Sequence, residues 1–413
     1  MPSIFDHQDF KKYRNAWDAR QKELTYRGGY YDGSIYQRTR DGLWFLGPKA
    51  NGSVKPLFLP FARAVDIDAG SIPSGWEFPK TEAKADVWSK ARDALFDASK
   101  WDTNGVLFVH YGAKYGVSGL RVSDYNNKVI VSPADPTRFM LIYGDMYSSE
   151  PTMALWIEYR VDENNKRYEY AEVITPATIS TYKDGESYAY GTAEVVYANP
   201  QKRIPIVECV HINDGTELGE CTYQKAIVLL NEVNDMATRL SETIKKNEEP
   251  QTVITGADPA DLQRGSDWAW FLMNPEASAQ FLVPQIDIEG VLSFIKEIKV
   301  GVHDALPELS FDELRKAGQI ATQTIELQLI EFVIKVQLTR PNYDRALTEA
   351  MKIAGAAAKR LNLPAIAPLD DPELILDKKR PVLPVMPKDA IDLEMAQIEL
   401  QNMRAGNVAK AGA

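Results

Sequence analysis

Two stretches of this chain repeat apolar residues at the three- and four-residue spacing of a helix, and a strand-patterned insert lies between them. Over residues 222–246 the apolar positions are Ala226, Leu229, Leu230, Val233, Met236, Ala237, Leu240 and Ile244. Over residues 288–306 they are Val291, Leu292, Ile295, Ile298 and Val302. Such a stripe predicts a long helix that buries one face and leaves the others to solvent or to neighbours. The insert holds two short β-patterned runs, 251–255 and 280–283, a Gly256-Ala-Asp-Pro259 turn, and an aromatic set of Trp268, Trp270 and Phe271. Trp268 and Trp270 flank one residue and share a face of any strand, where packing or subunit contact is the favoured use and base stacking the alternative.

Upstream the pattern differs. The first 70 residues read as irregular: Phe10, Tyr13 and Trp17 share one face of a polar opening, and Arg27-Gly-Gly-Tyr-Tyr-Asp-Gly33 and Asn51-Gly52 signal turns. Residues 81–100 are helical in period, through Ala85, Trp88, Ala91 and Leu95. Short β-branched and aromatic runs then follow at 105–111, 129–132, 139–143, 155–161, 168–174 and 179–182, separated by Asn, Pro, Gly and Asp. They predict an antiparallel, hairpin-connected sheet that 204–210 closes. Downstream, 307–319 is a polar break. Residues 320–361 are helical, with a segment at 325–334 that is apolar on most faces and expected to be deeply buried. Pro341 should interrupt and kink this helix. A linker with Pro364, Pro368, Pro372, Pro381, Pro384 and Pro387 leads to a last helix at 390–404. The fold class is α+β.

Composition narrows the function. The chain has 413 residues, more than one compact domain usually holds, and 58 acidic against 47 basic residues give a net charge of -11. Tight nucleic-acid binding needs a basic surface that releases counterions, so only weak contact with DNA is compatible with this balance. The opening residues lack a basic region followed by an apolar stretch, so no secretory signal is expected. The longest apolar run, 325–338, is broken by Glu326, Glu331 and Lys335, and no membrane role is expected. Cys209 and Cys221 fit neither a disulfide framework nor a zinc pattern and read as buried thiols.

The reactive constellations of enzymes are missing. There is no phosphate loop, no H-E-x-x-H, no C-x-x-C and no G-x-S-x-G. The histidines His7, His110, His211 and His303 are scattered, and His110 and His211 read as structural residues at strand ends. Asp66-Ile-Asp-Ala-Gly70 with Glu77 imitates a calcium loop but lacks its sixth-position Gly, and reads as an acidic surface turn. No catalytic, cofactor-binding or metal-binding residue is predicted. A metal site assembled from distant carboxylates, as in a hydrolase or nuclease, stays open as an alternative.

The order of elements from about residue 204 resembles the portal, or head-to-tail connector, family of tailed phages. The resembling residues are Arg203-Ile-Pro-Ile-Val-Glu-Cys-Val-His-Ile-Asn213, then Leu229-Leu-Asn-Glu-Val-Asn-Asp235, then Pro250-Gln-Thr-Val-Ile-Thr-Gly256. Leu306-Pro-Glu-Leu-Ser310 and Lys316-Ala-Gly-Gln-Ile-Ala321 follow, with Ala317-Gly318 where the family carries Ser-Gly and Thr322 where Leu is usual. The resemblance implies a portal-type fold. Its parts would be a helix-and-sheet wing at 1–218, stem helices at 219–246 and 286–306, and a small α/β clip at 247–285. A tunnel loop at 307–319, a kinked wing helix at 320–361, and a Pro-rich linker with a crown helix at 362–413 would complete it.

It also implies a dodecameric ring at a capsid vertex of the virion, assembled in the host cytoplasm. The ring would pass DNA and contact the terminase large subunit, a head-completion adaptor and the major capsid protein. Asp312, Glu313, Arg315 and Lys316 are then the DNA-facing candidates, and Trp268, Trp270 and Phe271 the docking candidates. Another head or neck protein, a capsid or collar component, shares the composition and is the alternative.

Overall fold

The computed structural model describes residues 4–36, 58–73, 75–79, 82–144, 150–183, 195–248, 251–255, 262–264, 270–272, 278–282, 287–310, 329–377, 380 and 382. They form two compact units. Unit 1 comprises Met1–Gly28, Phe61–Gln224 and Pro307–Ala413; unit 2 comprises Gly29–Pro60 and Lys225–Leu306.

Unit 1 contains helices α2 (Phe61–Ser71), α3 (Ala85–Ser99) and α4 (Trp101–Tyr115), strands β1 to β8, and a 31-residue helix α7 (Ile330–Arg360). Helix α1 (Arg14–Asp32) leads into it from the amino-terminal side. The strands are β1 (Val117–Tyr125), β2 (Lys128–Ala134), β3 (Phe139–Tyr143), β4 (Pro151–Val161), β5 (Arg167–Ile174), β6 (Thr178–Lys183), β7 (Val195–Ala198) and β8 (Ile206–Val210).

All pairings are antiparallel, as expected, but they build two sheets where the sequence predicts one. The first sheet has the order β2-β1-β8 and the second β3-β4-β5-β6-β7. Strand β8 therefore closes the small sheet by pairing with β1, whose SGLRVSD sequence is too polar to announce a strand. One core lies between the small sheet and the helices, with Trp88, Leu95, Phe108, Leu120, Val131, Leu347 and Met351. On the five-stranded sheet, Ile4, Phe5 and Phe10 pack with Met140, Leu155, Ile157 and Val173.

Several expectations are corrected. Residues 105–111 lie inside α4 and form no strand. Trp101, Gly105, Phe108, Val109, Gly112 and Ala113 are its buried positions, a three- and four-residue spacing that overrides the local β-branched look. Residues 27–32 continue α1 and do not turn; Gly33 follows, with φ +75. Residues 66–70 are helical, part of α2, and Asp68 is buried there, so no acidic surface turn exists.

Helix α7 continues through Pro341, where an interruption was expected. Contacts on both sides hold it: Arg340 donates to Ser71 O (2.9 Å) and Arg380 O (3.0 Å), and Asn342 donates to His211 O (3.2 Å). Of the segment 325–334, expected to be deeply buried, residues 325–328 lie outside the described residues; within a single chain Phe332 is buried while Ile330 and Ile334 are about half exposed.

Unit 2 is built on helices α5 (Ile227–Glu248) and α6 (Ile288–Asp304), which pack on each other as the two stripes predict. Between them lie β9 (Gln251–Thr255) paired with β12 (Ser278–Leu282), and β10 (Leu262–Arg264) paired with β11 (Trp270–Leu272). Asp287 caps α6, accepting from Gly290 N at 2.8 Å. Asn231 and Asn234 on α5 hold the early part of the unit. Asn231 donates to Tyr30 Oη and accepts from Tyr36 Oη, both at 2.8 Å, and Asn234 bonds both the N–H and the carbonyl of Phe58.

Candidate functional site

Most of the site candidates read from the sequence fall outside the described residues. Asp312, Glu313, Arg315 and Lys316 lie outside the described residues, as do Trp268 and the predicted helix at 390–404. Trp270 and Phe271 stand on β11, opposite Arg264 and Gln263 of β10.

What the structure assembles is a buried ionic cluster in unit 1, from four segments that sequence reading left unconnected. Asp68 comes from α2, His211 from the residue after β8, Glu308 from the turn Pro307–Ser310, and Lys335 from the second turn of α7. Asp68, His211 and Glu308 are at most 1% exposed. The Lys335 ammonium pairs with Glu308 Oε1, donates to Thr222 O at 3.3 Å and stands 4.0 Å from Asp68 Oδ2. The pair joins the turn just before residue 311 to the helix that begins just after residue 328.

A hydrogen-bond chain leads away from the same aspartate. Thr222 Oγ1 donates to Asp68 Oδ2 at 2.5 Å and accepts from His211 Nε2 at 3.0 Å. His211 Nδ1 lies 2.8 Å from Tyr343 Oη. Burial drives the Tyr343 phenol well above its ordinary value, so it stays protonated and donates to Nδ1. These partners fix a neutral Nε2–H tautomer. Burial also holds the His211 imidazole below its usual range, against the pull of Asp68. Tyr343 reaches this position because residue 112 is glycine: a Cβ there would meet Tyr343 Oη at 1.9 Å.

The two carboxylates share one cation and divide their roles. Burial raises the Asp68 carboxyl, but the Lys335 charge, the His211 contact and the Thr222 hydroxyl outweigh it, and the net shift is downward. Burial and then the Asp68 charge push Glu308 up to about 8, with Lys335 opposing. At neutral pH the cluster thus holds Asp68 ionised, Lys335 charged and Glu308 tilted toward its acid form. Asp68 Oδ1 and Glu308 Oε2 have no hydrogen-bond partner among the described residues.

The order Asp-Thr-His-Tyr looks like a proton relay, but three of the cluster's groups are sealed from solvent, and among the described residues neither cysteine thiol is activated. Burial pushes the Cys221 thiol up to about 12 and Cys209 higher still. The cluster anchors the junction of α2, α7 and the Pro307–Ser310 turn.

A pH effect follows from Glu308. Its folded value of about 8 lies above its ordinary 4.5. A raised carboxyl means the folded chain binds more protons than the unfolded one in that window, so stability is full below about pH 4.5 and declines toward pH 8. Glu308→Gln removes this titration and leaves that of His211 in place. The stability of wild type relative to Glu308→Gln, followed by urea unfolding, should fall by on the order of 3 kcal/mol from pH 5 to 8.5. A pH-independent difference would show that Glu308 titrates normally.

Comparison with known proteins finds a matching family and similar solved structures. The family described as "Phage portal protein, SPP1 Gp6-like" matches residues 101–368, from α4 to the turn after α7. No curated protein sequence matches the chain. Among solved structures, a chain of "Neck of empty GTA particle computed with C6 symmetry" is 11% identical, with a TM-score of 0.43, over 71% of this chain and 77% of that one. A chain of "Virion of native gene transfer agent (GTA) particle" is 12% identical, with a TM-score of 0.38, over 76% and 83%.

Proposed function

Since this chain belongs to the phage portal protein family, SPP1 Gp6-like, and is a structural portal subunit, we propose that its copies close into a ring through which double-stranded DNA enters and leaves a capsid. The observation that carries the ring is the two-faced character of α7. Phe332, Val336 and Tyr343 are buried, while Ile330, Ile334 and Leu338 are exposed at 49, 50 and 73%. The exposed three recur every four residues and so share one face. An isolated chain leaves that stripe in water, and a second copy of the chain covers it in a closed cyclic assembly.

In this reading residues 1–218 with 320–361 form the wing, 219–246 and 286–306 the stem, and 247–285 the clip. Residues 307–319 form the tunnel loop and 362–413 the crown. The ring is a dodecamer assembled in the host cytoplasm and retained in the virion at one vertex of the major capsid protein shell. The clip, with Trp268, Trp270 and Phe271, docks the terminase large subunit during packaging and a head-completion adaptor afterwards, since aromatic side chains make strong interface anchors.

DNA must slide through such a conduit, so its phosphates should meet few cations. The net charge of -11 supports that, with Arg315 and Lys316 the cations of the loop and Asp312 and Glu313 weakening their hold. The test is Arg315→Ala with Lys316→Ala in packaging particles. Rings should assemble normally, while DNA retention falls and loses part of its salt dependence. Unchanged packaging and retention at every salt concentration would remove the loop's charges from the account.

A further inference from the structure

Unit 1 carries an open cleft of about 400 Å³ beside α3 and α4 that shares no residue with the ionic cluster or with the exposed stripe of α7. Trp76, Phe96 and Trp101 line it beside Glu77, Arg92, Asp93 and Asp102, and both indoles are largely buried. The Trp76 and Trp101 ring centroids are 5.5 Å apart, and Phe96 stacks on Trp101 at 5.0 Å. Gly105 lines the cleft, and a Cβ there would stand 2.9 Å from Trp76 Cζ3 and 3.1 Å from Trp101 Nε1. Only glycine lets the two indoles approach the helix backbone so closely. The next residue, Val106, is 44% exposed. The rim is acidic, with Glu77, Asp93 and Asp102, and its Arg92 is already engaged by Asp93 (2.7 Å) and Trp76 O (2.7 Å).

The chain brings its own candidate to this rim. After α7 it returns along residues 75–77: Asp377 N donates to Glu77 O at 2.8 Å, and the Arg380 side chain lies against Gly75. Arg380 also donates to Asp344 Oδ1 at 2.5 Å, and Val382 packs on the core that contains Trp76 and Trp101. Gly75 and Glu77 are themselves residues of the cleft. The sequence continues Leu383-Pro384-Val385-Met386-Pro387-Lys388, five uncharged residues with two prolines and then a cation. Prolines favour an extended backbone of about 3.1 Å per residue, so these six residues span on the order of 19 Å. Aromatic-lined clefts suit such segments, because little backbone entropy remains to be lost on docking.

We propose that the cleft walled by Trp76, Phe96 and Trp101 seats Leu383 to Pro387 of the same chain, with Lys388 against the acidic rim. The carboxy-terminal segment is thereby fastened to unit 1, and whatever follows Lys388 is presented from a fixed point.

Cysteine trapping in the full-length, assembled protein tests this directly. Val106→Cys and Val385→Cys introduce one thiol on the cleft and one on the segment, while the native Cys209 and Cys221 are free and buried. Mild oxidation should give a linkage within one chain, running as a monomer on a non-reducing denaturing gel and identified by peptide mass. Covalent dimers would place the segment on another copy, and overturn the proposal. So would the absence of linkage when each single-cysteine protein reacts with a maleimide. In a second reading, Pro384→Ser, Val385→Ser and Pro387→Ser together should speed amide exchange in α4 by about tenfold. Unchanged exchange would likewise overturn it.

Discussion

Lys335→Met is expected to cost the folded chain about 3–5 kcal/mol, the range found when one partner of a buried ion pair is removed. The side chain keeps its length and loses its charge, so Asp68 and Glu308 remain buried, close together and without a cation. The loss should shrink as the pH falls, because Glu308 is already tilted toward its acid form and protonating Asp68 then removes the remaining uncompensated charge. Asp68→Asn on the Lys335→Met background should recover part of the loss, and the two changes should be non-additive because they share a partner. Urea unfolding of the four proteins closes this cycle. A loss below about 1 kcal/mol would place Lys335 in effective contact with solvent, as in surface pairs.

Ile334→Glu with Leu338→Glu should abolish ring formation and leave the subunit folded. Both positions are half exposed or more in the single chain. Surface substitutions of that kind change subunit stability by only about 0.5 kcal/mol. In a closed ring the same two carboxylates would be desolvated at every interface. A penalty of about 4 kcal/mol per interface, roughly a thousandfold in affinity, is enough to prevent closure. Mass photometry should find a single-chain mass, with the circular dichroism spectrum of wild type. Intact rings from the double variant would assign the α7 stripe to some other surface. The monomeric variant also provides a background on which the Lys335 cycle can be read without subunit dissociation.

Strands β3 to β6 and the helices α3, α5 and α6 were legible because each buries one face, and the burial leaves its period in the sequence, whereas β7 is exposed along its length and was not read. Residues 105–111 were misread because Val106, Val109 and Tyr111 are strand formers locally, whereas the helix is dictated by what Phe108, Val109 and Gly112 touch. The same limit explains β1, which holds Val117, Leu120 and Val122 in the core within an otherwise polar sequence.

The ionic cluster was invisible for a different reason. Asp68, His211, Glu308 and Lys335 are far apart along the chain, and only tertiary structure gives them a common partner. A signal did exist in two places: Lys335 is a lone cation in Phe332-Val-Ile-Lys-Val336, and Asp68 sits in a helical stretch with Ala64, Val65 and Ala69. A charge within an apolar stretch asks for a buried counter-charge. The family was legible from the order of its motifs, and α5 gives part of that order a physical meaning. Asn231 and Asn234 hold Tyr30, Tyr36 and Phe58 in place.

Electron microscopy of the purified wild-type protein, without DNA or other particle proteins, decides whether copies of this chain close into a ring around a DNA-sized opening. Rotationally symmetric rings are expected, with an axial channel wide enough for a double helix and a native mass that is an integral multiple of the subunit near twelve. Particles that remain single chains at micromolar concentration, or that grow into open filaments or sheets without a channel, would contradict ring closure.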